Sequence, residues 1–146
     1  MGNPTFSVCE RCYSVNKVDL AETTYQSPIC GKCKVNLPID GYLSNLTTRA
    51  LQKLIQKSPI TVVVDFWASW CGPCGAFSPV FADMARRYEG KLVFVKIDTE
   101  ANKEATTAYG VKGIPTLIFF KKGQEVQRHA GALLTEPFRA LLEKNL

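Results

Sequence analysis

The sequence predicts an α/β fold: a mixed central sheet with helices on both faces, preceded by a small cysteine-rich module. From about residue 45 onward, β-rich runs alternate with helical patterns of apolar residues. The first 40 or so residues hold only scattered apolar side chains, too few to stabilise a segment of that size by burial alone. Turn-forming residues occupy 36–41 between these regions. We therefore predict a metal-binding module at residues 1–40 and a second domain at 41–146.

The second domain is predicted to begin with a helix and a central strand. Apolar residues within 50–55 have helical spacing, and Thr47 precedes them as a candidate N-cap. Residues 60–67 form a β-rich run without clean alternation, which indicates a strand covered on both faces. A helical pattern follows over 71–88 and contains Pro79, which we expect to kink the helix.

The rest of the chain predicts a strand, a short helix, two successive strands and a final helix. Their approximate positions are 92–97, 103–108, 116–120, 125–130 and from Thr135 onward. Because strands and helices alternate until the last two strands, we expect a sheet that is parallel at first and ends in an antiparallel hairpin.

Composition and charge exclude several classes of protein. The 146 residues are 46% hydrophobic and 21% charged, as in an ordinary globular protein. No apolar run is long enough to span a bilayer, and residues 1–6 lack the pattern of a secretory signal, so we expect a cytosolic protein. The formal charge of +5 is scattered rather than clustered, and no glycine-rich phosphate loop occurs. We expect a monomer that binds neither nucleic acid nor membrane, and no bound nucleotide.

Six cysteines in a chain without an export signal favour metal binding or redox catalysis over structural disulfides. All six occur in Cys-x-x-Cys pairs, and one pair, Cys71 and Cys74, stands alone between a strand and a helix. At a helix start, backbone N–H groups and the helix dipole stabilise the thiolate of Cys71, while Cys74 lies one turn further in. Gly72 permits the tight turn, and Pro73 suits a first helical turn. We predict Cys71 as nucleophile and Cys74 as resolving thiol.

The other two pairs are predicted to form a structural zinc site. Seventeen residues separate the pairs, a spacing that suits two zinc knuckles completing a tetrahedron. Four protein ligands leave no open position for a catalytic water, so the metal would stabilise a segment that is poor in apolar residues. Tetrahedral iron and two disulfides are the alternatives. The predicted ligands are Cys9, Cys12, Cys30 and Cys33.

Residues 64–74, with the sequence VDFWASWCGPC, resemble the active-site segment of the thioredoxin family. The run Gly113-Ile114-Pro115-Thr116 is similar to the second signature of that family. The resemblance covers about residues 45–146, and it implies the thioredoxin fold. Together with the cysteine-rich amino-terminal segment, the whole chain resembles the bacterial thioredoxin-2 type, which has a zinc-binding module of two Cys-x-x-Cys pairs.

The resemblance assigns roles to residues outside the dithiol. Asp65 stands in an apolar strand, where desolvation raises the pKa of a carboxyl, and it becomes the proton acceptor for Cys74. Lys96 becomes the lysine near this carboxylate, although it could equally be a snorkelling edge residue. Pro115 becomes the cis-proline that faces the dithiol. The implied substrate-binding surface comprises Trp70, Gly72, Pro73, Ile114, Pro115, Gly131 and Ala132.

The resemblance implies a protein-disulfide reductase that serves cytosolic redox homeostasis and oxidative-stress defence. Its electrons would come from NADPH through a thioredoxin reductase, and its substrates would be disulfide-containing proteins. A disulfide oxidase or isomerase of the same fold, and a zinc-dependent interaction module, are the other functions we consider. Gly-Pro between Cys71 and Cys74 and the missing export signal favour the reductase. A higher reduction potential would indicate the oxidase.

Overall fold

The computed structural model describes residues 4–19 and 27–146, which hold eight strands and four helices. The export-signal prediction concerns residues 1–6, and residues 1–3 lie outside the described ranges. No helix among the described residues is long and apolar enough to cross a bilayer. The elements in chain order are β1 Thr5–Val8, β2 Val15–Val18, β3 Ile39–Asp40, β4 Leu43–Asn45, α1 Thr48–Lys57, β5 Val62–Trp67, α2 Gly72–Arg87, β6 Val93–Asp98, α3 Lys103–Ala108, β7 Thr116–Lys121, β8 Gln124–Ala130 and α4 Thr135–Glu143.

In the described part of the chain, six strands form one mixed sheet in the order β3-β4-β6-β5-β7-β8. Strands β4, β6 and β5 are parallel to one another, whereas β7, β8 and β3 pair antiparallel with their neighbours. This arrangement confirms the predicted mixed sheet with an antiparallel hairpin at its end. Strand β5 lies at its centre, and its six residues from Val62 onward are buried except the half-buried last one, Trp67.

Strand alternation divides the core into two layers. Val62, Val64 and Phe66 of β5 pack on one face of the sheet with apolar residues of α1 and α3. Val63 packs on the other face with apolar residues of α2 and α4. The residues of β5 with the same parity as Val63 therefore point toward α2, the helix that begins at the dithiol.

The cysteine-rich module packs directly against α1. Strands β1 and β2 pair antiparallel, with Phe6 opposite Lys17 and Val8 opposite Val15. Val8 is fully buried in the core layer that contains α1. The hydroxyls of Ser7 and Ser44 lie 2.8 Å apart, so β1 also contacts the edge of the large sheet. The module thus shares a core layer with the rest of the fold.

Strands β3 and β4 form a hairpin that the sequence patterns did not predict. Its turn contains Gly41, whose φ of +63° lies in the left-handed region that favours glycine. The predicted boundary between residues 40 and 41 falls within this turn, and the two strands on its sides pair with each other. Strands of two and three residues are too short to show periodicity, which is why sequence patterns could not identify them.

Candidate active site and metal centre

The Cys71–Cys74 pair lies where the central strand passes into a helix. β5 ends at Trp67, and α2 begins at Gly72 with Cys71 as its N-cap residue. The two cysteines form a disulfide with their Cα atoms 5.3 Å apart. Cys71 is 6% exposed and Cys74 is 3% exposed, so the pair sits just beneath the surface.

The start of α2 directs polar backbone groups at the Cys71 sulfur. The backbone N–H of Cys74 donates to Cys71 Sγ at 3.2 Å, so this sulfur takes the place of a capping oxygen. Pro73 contributes no N–H at the first turn, where a donor would have no partner within the helix. A negative charge on Cys71 Sγ would therefore be favoured by a hydrogen bond and by the helix dipole.

A second loop brings a backbone acceptor to the dithiol. The Ile114–Pro115 peptide bond is cis, and Cys71 Sγ lies 3.7 Å from the carbonyl oxygen of Ile114. The backbone N–H of Gly131 donates to the carbonyl of Pro115 at 2.8 Å, which fixes the end of β8 beside this loop. The structure therefore brings Ile114, Pro115 and Gly131 together next to Cys71.

The surroundings of the dithiol are exposed and largely apolar. Trp70 is 69% exposed, and its indole N–H donates to Glu100. Gly72, Pro73 and Ala132 are also exposed. Glu100, which orients the indole, was not identified from the sequence, because its contact crosses thirty positions of the chain.

Asp65 is a fully buried carboxyl on the face of β5 that points toward α2. Among the described residues, neither of its oxygens has a hydrogen-bond partner. Burial away from water raises the pKa of Asp65 to about 7, and the charge of Lys96 opposes this effect. The group can therefore gain and lose a proton near neutral pH.

Lys96 lies opposite Asp65 in the register of β5 and β6. Its ammonium group donates to Ser78 Oγ at 3.1 Å and lies 4.6 Å from the centre of the Trp67 ring. It forms no ion pair with Asp65 among the described residues, whose ion pairs all involve arginine. Ser78 and Lys96 line a pocket of about 110 Å³ together with both cysteines. Ser78 was also not identified from the sequence.

The four amino-terminal cysteines form a compact cluster. Their Sγ atoms all lie within 4.8 Å of one another. Cys9 Sγ lies 3.5 Å from Cys33 Sγ, and Cys12 Sγ lies 3.7 Å from Cys30 Sγ. A tetrahedral zinc ion with bonds of about 2.3 Å would require sulfurs about 3.8 Å apart. These cysteines could therefore hold one tetrahedral metal ion.

The two knuckles have the same backbone design. The residue after the second cysteine of each pair has positive φ, 60° at Tyr13 and 67° at Lys34. Its N–H donates to the carbonyl of the first cysteine, Cys9 or Cys30 respectively. The N–H groups of Arg11, Lys32 and Cys33 approach the Sγ atoms of these first cysteines at 3.4 Å. Each turn thus directs donors at sulfur, as thiolate ligands require.

Further donors surround Cys30. Ser14 Oγ lies 3.4 Å from Cys30 Sγ, and Asn16 Nδ2 donates to the same sulfur at 3.6 Å. The N–H of Cys33, followed by the Ser14 hydroxyl, lowers the pKa of Cys30 to about 5. The hydrogen bond with the Cys12 sulfur is the main cause that raises the pKa of Cys33 to about 12, followed by burial, and repulsion from a Cys12 thiolate adds to the shift. A divalent cation would remove that repulsion, so the donor set fits a metal.

A redox pair at a helix start, facing a cis-proline loop, defines a thiol–disulfide oxidoreductase. The sequence model of the family described as Thioredoxin matches residues 42–144. The chain belongs to the thioredoxin family, and it has the thioredoxin fold preceded by a cysteine cluster consistent with a small zinc-ribbon-like module.

Similar proteins differ in how much of the chain they cover. Thioredoxin C-3 of Corynebacterium nephridii is 38% identical over 140 residues, which are 95% of this chain and 94% of that protein. Thioredoxin 1 of Nostoc sp. is 40% identical over 103 residues, 70% of this chain and 96% of that protein. Thioredoxin of Pseudomonas aeruginosa is 38% identical over 105 residues, 72% of this chain and 97% of that protein. The similarity to thioredoxin C-3 therefore extends into the cysteine-rich segment.

Proposed function

We propose that this protein is a protein-disulfide reductase whose redox centre is the Cys71-Gly72-Pro73-Cys74 loop. The supporting observation is the redox-capable pair at the start of α2, beside the Ile114 carbonyl and an exposed apolar surface. Family membership points in the same direction. The role we infer is cytosolic redox homeostasis and defence against oxidative stress.

The reaction we propose has two exchange steps. In the reduced protein, the Cys71 thiolate attacks one sulfur of a substrate disulfide, and the other substrate sulfur leaves as a thiolate. Cys74 then loses its proton and attacks Cys71 Sγ, which releases the second substrate thiolate and forms the Cys71–Cys74 disulfide. Two electrons pass from the protein dithiol to the substrate. The two substrate thiolates take up two protons, the one that Cys74 loses and the one that Cys71 released to water when it ionised.

Asp65 is proposed to accept the proton of Cys74 during the second step. Its pKa of about 7 suits a group that must take up a proton and release it again near neutral pH. Lys96 is proposed to tune this carboxyl by its charge, which lowers the pKa of Asp65 against the effect of burial.

A substrate segment would bind beside the dithiol in extended form. The backbone of Ile114 would pair with it in the manner of strand addition, while Trp70 and Pro73 would contact its side chains. Gly72, Pro115, Gly131 and Ala132 complete the proposed surface. Electrons would return to the disulfide from NADPH through a thioredoxin reductase.

We further propose that Cys9, Cys12, Cys30 and Cys33 hold one structural zinc ion, within a module at residues 1–40. The sulfur separations of 3.5 and 3.7 Å support tetrahedral coordination. All four positions would be filled by protein thiolates, so the ion would supply stability and no catalytic water. Iron in the same thiolate set is the rival metal.

The cysteine roles are tested by serine substitution. We expect Cys71→Ser to abolish reduction of insulin in an assay coupled to NADPH and a thioredoxin reductase, because the attacking sulfur is lost. We expect Cys74→Ser to trap mixed disulfides, because attack survives without resolution. Non-reducing gels and intact mass measurement would detect the adducts.

Two outcomes would contradict this proposal. Activity of the Cys71→Ser variant would mean that another pair is the catalyst. A reduction potential close to that of strongly oxidising members of the superfamily, about −120 mV, would instead identify a disulfide oxidase.

A further inference from the structure

A groove lies beside the contact between the β1–β2 hairpin and helix α1. Phe6, Val8, Val15 and Lys17 share the hairpin face that points toward α1, since they occupy alternate positions in paired strands. Val8 is fully buried, whereas Phe6 and Val15 are only half-buried. Residues 13–15 and 17, from the turn and from β2, line this groove of about 470 Å³ together with Phe6, Lys53 and Lys57. Its volume is that of an ordinary ligand site.

The floor of this groove is apolar and its rim is basic. Phe6, Tyr13 and Val15 line the floor, and Lys17, Lys53 and Lys57 line the rim. The lining residues that the structure describes include no acidic side chain. Asp19, the first residue after β2, comes two positions after Lys17 and is not among them.

Helix α1 supplies a continuous basic stripe. Arg49, Lys53 and Lys57 follow at intervals of four residues, so they lie on one exposed side of the helix. The Arg49 guanidinium lies 4.4 Å from the centre of the Tyr13 ring, which joins the stripe to the aromatic floor. Helix α1 contains no acidic residue, and the ion pairs of the described residues involve none of these cations. Like charges at this spacing repel, and a bound anion would remove the repulsion.

The groove is separate from the dithiol. Its residues Phe6, Tyr13 and Val15 pack against the core layer of α1 and α3, whereas α2 covers the other face of the sheet. A ligand in the groove would therefore leave Cys71 accessible. Lys53 and Lys57 are four residues apart on α1, so their Cβ atoms are about 5–6 Å apart. Two acidic residues four positions apart on a partner helix have the same separation and could pair with them.

We propose that this groove binds an acidic, amphipathic helical segment of a partner protein. Leucine or phenylalanine side chains of the segment would contact the Phe6–Tyr13–Val15 floor, and its carboxylates would pair with Lys17, Lys53 and Lys57. Such a second attachment point would raise the effective concentration of a partner near the dithiol without occupying the dithiol itself. The proposal does not depend on the catalytic roles of the cysteines.

The test uses the full chain and a labelled, cysteine-free peptide of about twelve residues. One face of the peptide carries two glutamates four positions apart beside leucine and phenylalanine, and a matched peptide has glutamine in place of glutamate. We expect fluorescence anisotropy to show binding of the acidic peptide, weakened by raising the salt from about 0.05 M to about 0.5 M. Equal binding of the two peptides would overturn the proposal.

Variants separate the groove from general charge effects. Lys53→Glu with Lys57→Glu should weaken peptide binding by about tenfold or more. Lys91→Glu with Lys144→Glu changes the net charge equally at exposed positions outside the groove and should leave binding within about twofold. Val15→Thr should weaken binding several-fold without charge change, because the apolar floor gains a hydroxyl. Insulin reduction should be unchanged in all three proteins.

Three further results would refute this inference. Equal losses in the two charge-reversal variants would indicate unspecific attraction. Full binding by Val15→Thr would reduce the site to a charged patch. Groove-dependent binding of single-stranded DNA, without binding of the acidic peptide, would identify a nucleic acid as the occupant instead. Circular dichroism of each variant would exclude loss of folding as the cause.

Discussion

Asp65 shows how a single buried group can link stability and pH. Its carboxyl is fully buried without a hydrogen-bond partner among the described residues, and its pKa is raised to about 7 against an ordinary value of 3.8. Between about pH 4 and pH 7 the folded protein therefore holds a proton that the unfolded chain has released. The contribution of Asp65 to the free energy of unfolding therefore falls as the pH rises through this interval.

We predict that Asp65→Asn stabilises the protein at pH 8 and flattens this pH dependence. In the wild-type protein, the contribution of Asp65 to the free energy of unfolding falls by about 1.4 kcal/mol for each pH unit of the interval, or about 4 kcal/mol in all. The uncharged amide of Asp65→Asn avoids this loss. The variant should therefore be more stable than the wild-type protein by nearly that amount at pH 8 and by little at pH 4. Urea unfolding at both pH values measures the difference.

Asp40→Asn provides the matched control, because Asp40 is exposed. It should leave the pH dependence of unfolding as in the wild-type protein. If Asp65→Asn kept the wild-type slope between pH 4 and pH 7, the titrating group would be another residue. If Asp65 accepts the Cys74 proton, Asp65→Asn should also resolve mixed disulfides more slowly than the wild-type protein.

Residue identities in the site could largely be predicted, but their partners could not. The sequence indicated the dithiol, Asp65 and the four clustered cysteines, because their spacing or their apolar strand is visible locally. Ser78 and Glu100 contact Lys96 and Trp70 across separations of 18 and 30 positions. No local pattern encodes such contacts, since they depend on how α2, β6 and the following loop pack.

At the level of elements, the start of α1 shows that a helix can begin at the predicted residue without the expected capping hydrogen bond. Thr47 is the N-cap residue, as predicted, but its side chain makes no capping hydrogen bond. Its hydroxyl donates instead to Glu10 at 2.6 Å, and its backbone N–H donates to the same carboxylate at 3.0 Å. Glu10 lies in the first cysteine knuckle, so the module places a negative charge at the positive end of α1.

We predict that Glu10→Gln lowers the free energy of unfolding by about 0.5–1 kcal/mol, because the charge at the helix start and one charge-assisted hydrogen bond weaken. Chemical unfolding measures this loss, which should shrink at high salt. Glu89→Gln is the control at a half-buried position and should have little effect. Equal losses in both variants would assign the effect to net charge rather than to the contact with Thr47.

The remaining elements show where sequence patterns are sufficient. Helix α3 covers 103–108 as predicted, and β5, β6, β7, β8 and α2 differ from their predicted limits by about two residues or fewer. These elements have long apolar runs or clear helical spacing. Strands β1 and β2 and the β3–β4 hairpin are set by tight turns and by neighbouring strands, and a short strand has no periodicity of its own.

At the scale of the whole molecule, the cysteine cluster and the main fold should respond together to metal loss. Val8, in the strand that leads into the first knuckle, is fully buried in the core layer of α1. We predict one zinc ion per chain in freshly purified, reduced protein, released by a chelator with a thiol-blocking reagent. We predict no zinc in Cys30→Ser with Cys33→Ser, and a midpoint of thermal unfolding lower by about 5 °C or more.

Cys71→Ser with Cys74→Ser is the matched control, since it also removes two sulfurs from a Cys-x-x-Cys pair, but from one outside the four-cysteine cluster. It should retain one zinc ion per chain. Metal analysis by mass spectrometry distinguishes zinc from iron, and stoichiometric iron would replace zinc in our assignment. If fresh wild-type protein contained neither zinc nor iron, the cluster would be four thiols or two disulfides.

The short strand β3 has a consequence for how this protein behaves at high concentration. It covers the outer edge of β4, which would otherwise present unpaired backbone groups to other chains. With two residues, a preceding proline at 38 and an aspartate at 40, β3 is itself a poor template for a further strand. The polypeptide next to the cysteine cluster thus protects this edge of the sheet against edge-to-edge aggregation.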